Sequence, residues 1–172
     1  MSSKDLSNRK KQPGHDRSFE KSERNALEAA EAVVKKYPAL SVTAKGRYKI
    51  FPKYTSGWIK PEFTIRNDET GQVFHFEVKK QGAKGNAEER VYKLFSPKFS
   101  KAMKKFFNVD YHPWKAIFCE DLATNDRYTG KFDVYLEEDD YFLWDDYNDS
   151  SGLKGFIEET IQKHLLSSGA KQ

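Results

Sequence analysis

Three side chains in the first half of the chain have types and spacing suited to one kind of chemistry. Glu62 follows Lys60-Pro61, and Glu77 and Lys79 lie two residues apart in the run Phe76-Glu77-Val78-Lys79. The segments around them, Glu62 to Arg66 and Gln72 to Lys80, read as strands, and Asn67-Asp68-Glu69-Thr70-Gly71 between them has the composition of a hairpin turn. Residues two apart on a strand share a face, so Glu77 and Lys79 point the same way, and folding the two strands together brings Glu62 beside them. Two carboxylates converging next to an ammonium make a site for a hard divalent cation and an activated water. Phosphodiester hydrolysis needs those parts: a metal to offset phosphate charge and lower the pKa of its water, and a lysine to orient or deprotonate that water or to stabilise the pentacovalent state. Taken alone, the same pattern also reads as solvated charges on a Lys/Glu-rich strand.

A second element follows at once, Gly85-Asn86-Ala87-Glu88-Glu89-Arg90. Asparagine can pair bidentately with the N6/N7 edge of adenine, and arginine can bridge purine acceptors in the major groove. Gly85 allows close backbone approach, and Ala87 offers a small apolar surface to a thymine methyl. Glu89 gains nothing from a phosphate, but it can accept from an adenine amino group or buttress Arg90. The competing reading is an ordinary helix start, with Asn86 as N-cap and Glu88 and Glu89 meeting the helix dipole.

Together, in this order and spacing, the two elements are far more specific than either alone. The run Pro61-Glu62-Phe63 … Glu77-Val78-Lys79-Lys80-Gln81 … Gly85-Asn86-Ala87-Glu88-Glu89-Arg90 … Lys93-Leu94-Phe95-Ser96-Pro97 resembles the EcoRI/MunI branch of type II restriction endonucleases, within the PD-(D/E)XK nuclease superfamily. Tyr141-Phe142-Leu143-Trp144 resembles the aromatic strand that precedes the last helix there. The resemblance implies an α/β fold with a mixed central sheet flanked by helices. It implies a Mg²⁺-dependent enzyme that cuts double-stranded DNA at a palindrome with an AATT centre and acts as a homodimer, alongside a possible cognate methyltransferase acting on the same site. Glu62, Glu77 and Lys79 become the catalytic residues, with Glu62 and Glu77 as metal ligands. Lys84, Gly85, Asn86, Ala87, Glu89 and Arg90 become the DNA-recognition residues, Lys84 facing either an outer guanine or a phosphate. One departure stands out: the family pattern has aspartate where this chain has Glu62. The longer carboxylate must fold back to reach the same metal position, so a slower enzyme or a DNA-binding protein that has lost cleavage is an alternative, as is a repair or recombination nuclease. Glu23 and Glu28 of the first helix are candidates for a further metal carboxylate, set against their reading as solvated helix charges.

These residues need a scaffold. Residues 1–17 read as a flexible basic arm and residues 18–172 as a single catalytic domain. A helix with Ser22 as its N-cap carries Ala26, Leu27, Ala30, Val33, Val34 and Tyr37 at helical spacing up to Pro38. Tyr48 to Ile50 reads as a short strand. Beyond the recognition element, Val91, Leu94 and Phe95 share a helix face. Ser96-Pro97 caps the next helix, whose apolar residues Phe99, Met103, Phe106 and Phe107 oppose Lys98, Lys101, Lys104 and Lys105. Trp114 to Cys119, Phe132 to Leu136 and Tyr141 to Trp144 are predicted strands, and a final helix is striped by Leu153, Phe156, Ile157, Ile161 and Leu165. Trp58, Trp114 and Trp144 are expected in the core or at a dimer contact, and the lone histidines His75 and His112 carry no expected role.

Charge distribution agrees with a polyanionic partner. Residues 1–60 hold 14 Lys/Arg against 6 Asp/Glu, residues 61–115 hold 11 against 7, and residues 116–172 hold 5 against 13. That asymmetry suggests a basic face toward DNA and an acidic region turned away, although solvated faces can drift in charge. The single cysteine, Cys119, excludes an internal disulfide and a Cys-rich zinc site. No apolar run reaches spanning length and no signal peptide is visible, so a cytoplasmic protein without membrane association is expected.

Overall fold

The hairpin expected around Asn67 lies at the centre of the structure. The computed structural model describes residues 15–50, 58–80 and 88–166. Strand β4 (Phe63–Asn67) and strand β5 (Val73–Lys79) pair antiparallel, with Phe63 opposite Phe76 and Arg66 opposite Val73. The turn between them is held by its own side chains: Asn67 Oδ1 accepts from the backbone N–H groups of Glu69 and Thr70 at 2.9 and 3.2 Å. Gly71 adopts φ +80°, which an L side chain resists, and its N–H donates to Asn67 O at 2.8 Å. Asn67 Nδ2 also donates to Leu165 O at 2.8 Å, tying the turn to the end of the chain's last helical segment.

A five-stranded mixed sheet is built outward from this hairpin, with one strand added beside β4 and two beside β5. Strand β1 (Leu40–Ala44) pairs antiparallel with β4, while β6 (Trp114–Cys119) and β7 (Tyr141–Trp144) continue in parallel from β5. Two short strands, β2 (Tyr48–Lys49) and β3 (Trp58–Ile59), pair separately. Strand β1 is not among the strands expected from the sequence, although Leu40, Val42 and Ala44 alternate with Ser41 and Thr43; five residues between Pro38 and Gly46 make only a short signal.

Period-two alternation splits the sheet into two packed faces. On one, Phe63, Ile65, Phe74, Phe76, Val78, Ile117 and Cys119 meet helix α1 (His15–Val34) and helix α6 (Ser151–Thr160). On the other, Ala116 and Phe118 pack with Val91 of α2 (Glu88–Tyr92), Leu122 of α4 (Asp121–Thr124) and Tyr128 and Phe132 of α5 (Asp126–Tyr135). Trp114 sits with Met103 of α3 (Pro97–Phe107) and with Ile50 and Ile59. The result is the α/β arrangement expected, helices on both sides of a mixed sheet. Trp114 and Trp144 are buried, whereas Trp58 is partly exposed with the Arg47 guanidinium 4.7 Å from its ring.

Three local expectations are corrected. Phe132 to Leu136 is not a strand: α5 runs over Asp126–Tyr135, capped by Asn125 Oδ1, which accepts from Arg127 N at 3.0 Å. The alternation Phe132-Val134-Leu136 mimics a strand, but the buried set is Tyr128, Phe132 and Leu136 at four-residue spacing, and Val134 is 76% exposed. Ser22 is not an N-cap. The helix already runs at His15, three residues inside the segment read as a flexible arm, and Ser22 is fully buried within it. Residues 15–21 are mostly polar, so hydrophobic periodicity gives no sign of the helix there. Ser96 and Pro97 do begin α3 as expected, with Ser96 Oγ accepting from Phe99 N.

Since Asn67 is buried and serves both the turn and the last helical segment, Asn67→Ala leaves three backbone groups without their partner. It is expected to lower unfolding free energy by about 2–3 kcal/mol in urea denaturation, with little change in circular dichroism of the native state. A loss under ~0.5 kcal/mol would show that the turn is held by other contacts.

Candidate active site

Glu62 stands one residue before β4. Its N–H donates to Phe76 O at 2.9 Å, the carbonyl of the residue already opposite Phe63, so the chain bends out of the ladder register at Glu62, and the Glu62 carboxylate lies near enough to add to the charge felt by Glu77. Lys79 Nζ lies 3.9 Å from Glu77 Oε1 on the same face of β5. The three residues singled out by chemistry are therefore brought together. The carboxylate side chains are largely enclosed, Glu62 11% and Glu77 13% exposed. Enclosure disfavours charge, and burial pushes the Glu77 carboxyl up to about 7, with the Lys79 ammonium opposing the shift and Glu62 adding to it.

Two further groups complete the cluster. Lys45 directly follows β1 at φ +57°, and its N–H donates to Glu62 O at 3.1 Å. Its ammonium hydrogen-bonds Glu62 Oε1 and reaches Glu23 Oε2 of α1 at 2.9 Å. Burial, reinforced by a hydrogen bond with Glu62, pushes the Glu23 carboxyl up to about 7 as well. Burial works against the charged form of Lys45, but its bonds to Glu62 and Glu23 outweigh this and raise its pKa above the ordinary lysine value. Glu23 thus belongs to the site, whereas Glu28 lines a separate cleft with Asn25, Tyr147 and Lys154. Lys45 carries no motif in the sequence; only the antiparallel pairing of β1 with β4 (Ala44 opposite Phe63) brings it to Glu62.

Beneath the carboxylates, His75 is buried on the same face as Glu77, within 2.7 Å of Thr64 Oγ1 and surrounded by Tyr48, Phe107 and Trp114. Burial, with His112 nearby, lowers its pKa to about 3, so it is a neutral packing residue rather than an acid–base group.

Of the recognition candidates, Lys84, Gly85, Asn86 and Ala87 lie outside the described residues. Glu89 and Arg90 are exposed on α2. Glu88, read from sequence only as a dipole partner, is instead buried, and Lys131 of α5 reaches it at 3.3 Å and Glu89 at 3.9 Å. A buried acid held by a lysine from another helix ties α2 to α5, a role that no local pattern reveals. On α3, Lys98, Lys101 and Lys105 are exposed and Lys104 partly so.

The donor set fits a hard divalent ion: carboxylate oxygens, with no cysteine or histidine among them. Among the described residues no three His, Cys, Asp or Glu side chains are gathered closely enough to enclose an ion by themselves. One or two carboxylates with water and substrate oxygens is the usual arrangement for Mg²⁺.

Comparison with known proteins points the same way. A family model described as type II restriction enzyme MunI matches residues 39–166, a span that holds Lys45, Glu62, Glu77, Lys79 and the Gly85 to Arg90 element but not Glu23. The type II restriction enzyme MunI of Mycoplasma sp is 26% identical over 127 residues, which cover 64% of this chain and 63% of that relative. A crystal structure of MunI restriction endonuclease in complex with cognate DNA shares the fold, with a TM-score of 0.58 at 21% identity over 80% of this chain and 94% of that one. No helix among the described residues is long and apolar enough to cross a membrane.

The Glu77 shift has a measurable consequence. A carboxyl whose pKa is raised on folding stabilises the fold below its unfolded value and loses that contribution as pH rises through the folded one. In chelator, Glu77→Gln should therefore raise Tm at about pH 8, with the gain shrinking toward pH ~5. A gain independent of pH would show that Glu77 titrates normally.

Proposed function

Because this chain belongs to the type II restriction enzyme MunI family, we propose that it is a sequence-specific, Mg²⁺-dependent endonuclease of double-stranded DNA. Its site is a palindrome with an AATT centre, met by a homodimer. The observation that carries this reading is the enclosed pair of Glu62, just ahead of β4, and Glu77 on β5, with Lys79 beside them. A divalent ion bound there supplies Lewis acidity at the scissile phosphate and a water of lowered pKa. Glu62 and Glu77 are the residues that would hold it, with Glu23 near enough to support Glu62 through the shared hydrogen bond.

The chain's own groups divide the remaining tasks. Glu77 must be ionised to act as a ligand, so its raised pKa makes the site sensitive to pH near neutrality. Lys79 donates to the attacking water or to a phosphate oxygen, adding positive charge where negative charge develops. Lys131 holds α2 against α5 through Glu88, and this orients Glu89 and Arg90 on its exposed side. Asn86 then reads an adenine edge and Arg90 purine acceptors of the AATT centre, Gly85 and Ala87 allow close approach, and Lys84 meets an outer guanine or a phosphate. The exposed lysines of α3 contact phosphates. A palindromic site is matched by two copies of the same recognition element, hence a two-fold dimer.

Two outcomes test this. Wild type with Mg²⁺ should cut plasmid DNA and fail in chelator. Glu77→Ala and Lys79→Ala should each abolish cutting while specific binding persists. Binding without any cutting by wild type, restored by Glu62→Asp, would favour a DNA-binding protein that has lost cleavage. For recognition, each bidentate base contact discriminates by about 1–3 kcal/mol and a dimer makes each twice. In competition at fixed salt, an AATT-centred duplex should therefore win over a scrambled one by orders of magnitude. Asn86→Ala should erase that preference and leave non-specific affinity unchanged, whereas Lys98→Ala or Lys101→Ala should weaken all DNA alike and flatten the salt dependence. Equal affinity for both duplexes would reduce the Gly85 to Arg90 element to a helix start.

A further inference from the structure

Lys45 is placed where a cation is wanted. Its ammonium hydrogen-bonds Glu62 Oε1, an oxygen of one proposed metal ligand, and lies 2.9 Å from Glu23 Oε2. The two carboxylates are enclosed and the lysine is not: Glu23 and Glu62 side chains are 15% and 11% exposed, and Lys45 is 66% exposed. The acids are thus fixed by their surroundings, while the ammonium can move to solvent on its flexible stem. The backbone of Lys45 remains anchored, since its N–H donates to Glu62 O at 3.1 Å. A side chain tethered in this way returns to the same carboxylates whenever no stronger cation holds them.

We propose that the Lys45 ammonium and the divalent ion compete for the same carboxylate oxygens, so that Lys45 limits how tightly the ion is held and swings out when it binds. An ammonium and a divalent ion on the one Glu62 carboxylate repel each other, more strongly in so enclosed a place than in water, and Lys79 already adds positive charge beside Glu77. The lysine meanwhile keeps the acids apart from one another's charge when the ion is gone, as Glu23 and Glu62 sit close enough to hydrogen-bond. The longer reach of Glu62 brings its carboxylate to both Lys45 and the region of Glu77, which links this competition to the residue where the chain departs from the family's aspartate.

The inference rests on the metal-dependent reading of the site, and the test keeps the two apart. Mn²⁺ binding by the full chain, without DNA and at slightly alkaline pH, is measured from the loss of the free-ion electron paramagnetic resonance signal. Lys45→Met keeps the apolar stem and removes the charge; it should bind Mn²⁺ roughly tenfold more tightly than wild type, the scale on which one close opposite charge shifts a carboxylate's equilibrium. Lys45→Arg, which keeps the charge, should stay near wild type. In wild type labelled with ¹³C at lysine Cε, the Lys45 signal should move toward that of a free lysine as Mg²⁺ is added, with the midpoint of ion binding. This readout needs no variant to fold. Equal or weaker Mn²⁺ binding by Lys45→Met, or a Lys45 signal indifferent to Mg²⁺, overturns the competition while leaving Mg²⁺-dependent cleavage intact. Absence of Mn²⁺ binding in wild type and variant alike overturns both.

Discussion

The antiparallel pairing of β4 with β5 forces two acids together in a place where neither can be well solvated. Phe63 lies opposite Phe76 with their rings stacked at 4.8 Å, and both are fully buried, so the register cannot slip without exposing one face of the core. Just ahead of that pair the chain bends at Glu62, whose N–H donates to Phe76 O, and its carboxylate comes near enough to Glu77 to add to the charge there. Like charges brought close together are destabilising, and enclosure adds to the cost. The surroundings answer with cations, Lys79 beside Glu77 and Lys45 beside Glu62. A core fixed by aromatic packing therefore holds the carboxylates in an arrangement that favours a bound cation over none.

The same logic explains why the site's elements come from distant parts of the chain. Strand β1 places Lys45, helix α1 places Glu23, and β5 carries Glu77 and Lys79 at its end. Helix α1 is held by Ala26, Ala29, Ala30 and Val33 against the sheet, small side chains that allow close approach. Helix α2 starts shortly beyond β5, and the pairing of Glu88 with Lys131 joins it to α5 rather than to the sheet alone. Glu77 and Lys79 thus sit on the rigid hairpin, while Glu89 and Arg90 sit on a helix held to α5 by an ion pair.

How much of this was legible in the sequence follows from how local each signal is. The hairpin, its Asn67 to Gly71 turn, and the shared face of Glu77 and Lys79 depend on neighbours within a few residues, and the structure has them. The capping of α3 by Ser96 and Pro97 is local in the same way. Lys45 and the membership of Glu23 in the site depend on how β1 and α1 dock, which no short pattern encodes. Glu88 reads as one of two acids at a helix start, and only burial against α5 distinguishes it from Glu89. Phe132 to Leu136 misleads because apolar residues at alternate positions also fit a helix when the middle one, Val134, faces solvent. The Gly85 to Arg90 element was legible through resemblance, and its first three residues lie outside the described ones.

The account turns on Glu62 and Glu77 being the seat of a divalent ion. Diffraction from crystals soaked in Mn²⁺, with data collected at the manganese edge, tests this without any assay of cutting. The expected result is an anomalous peak in contact with carboxylate oxygens of both Glu62 and Glu77, absent in crystals of Glu77→Ala. A peak bound elsewhere, or none between these two carboxylates at saturating Mn²⁺, would contradict it.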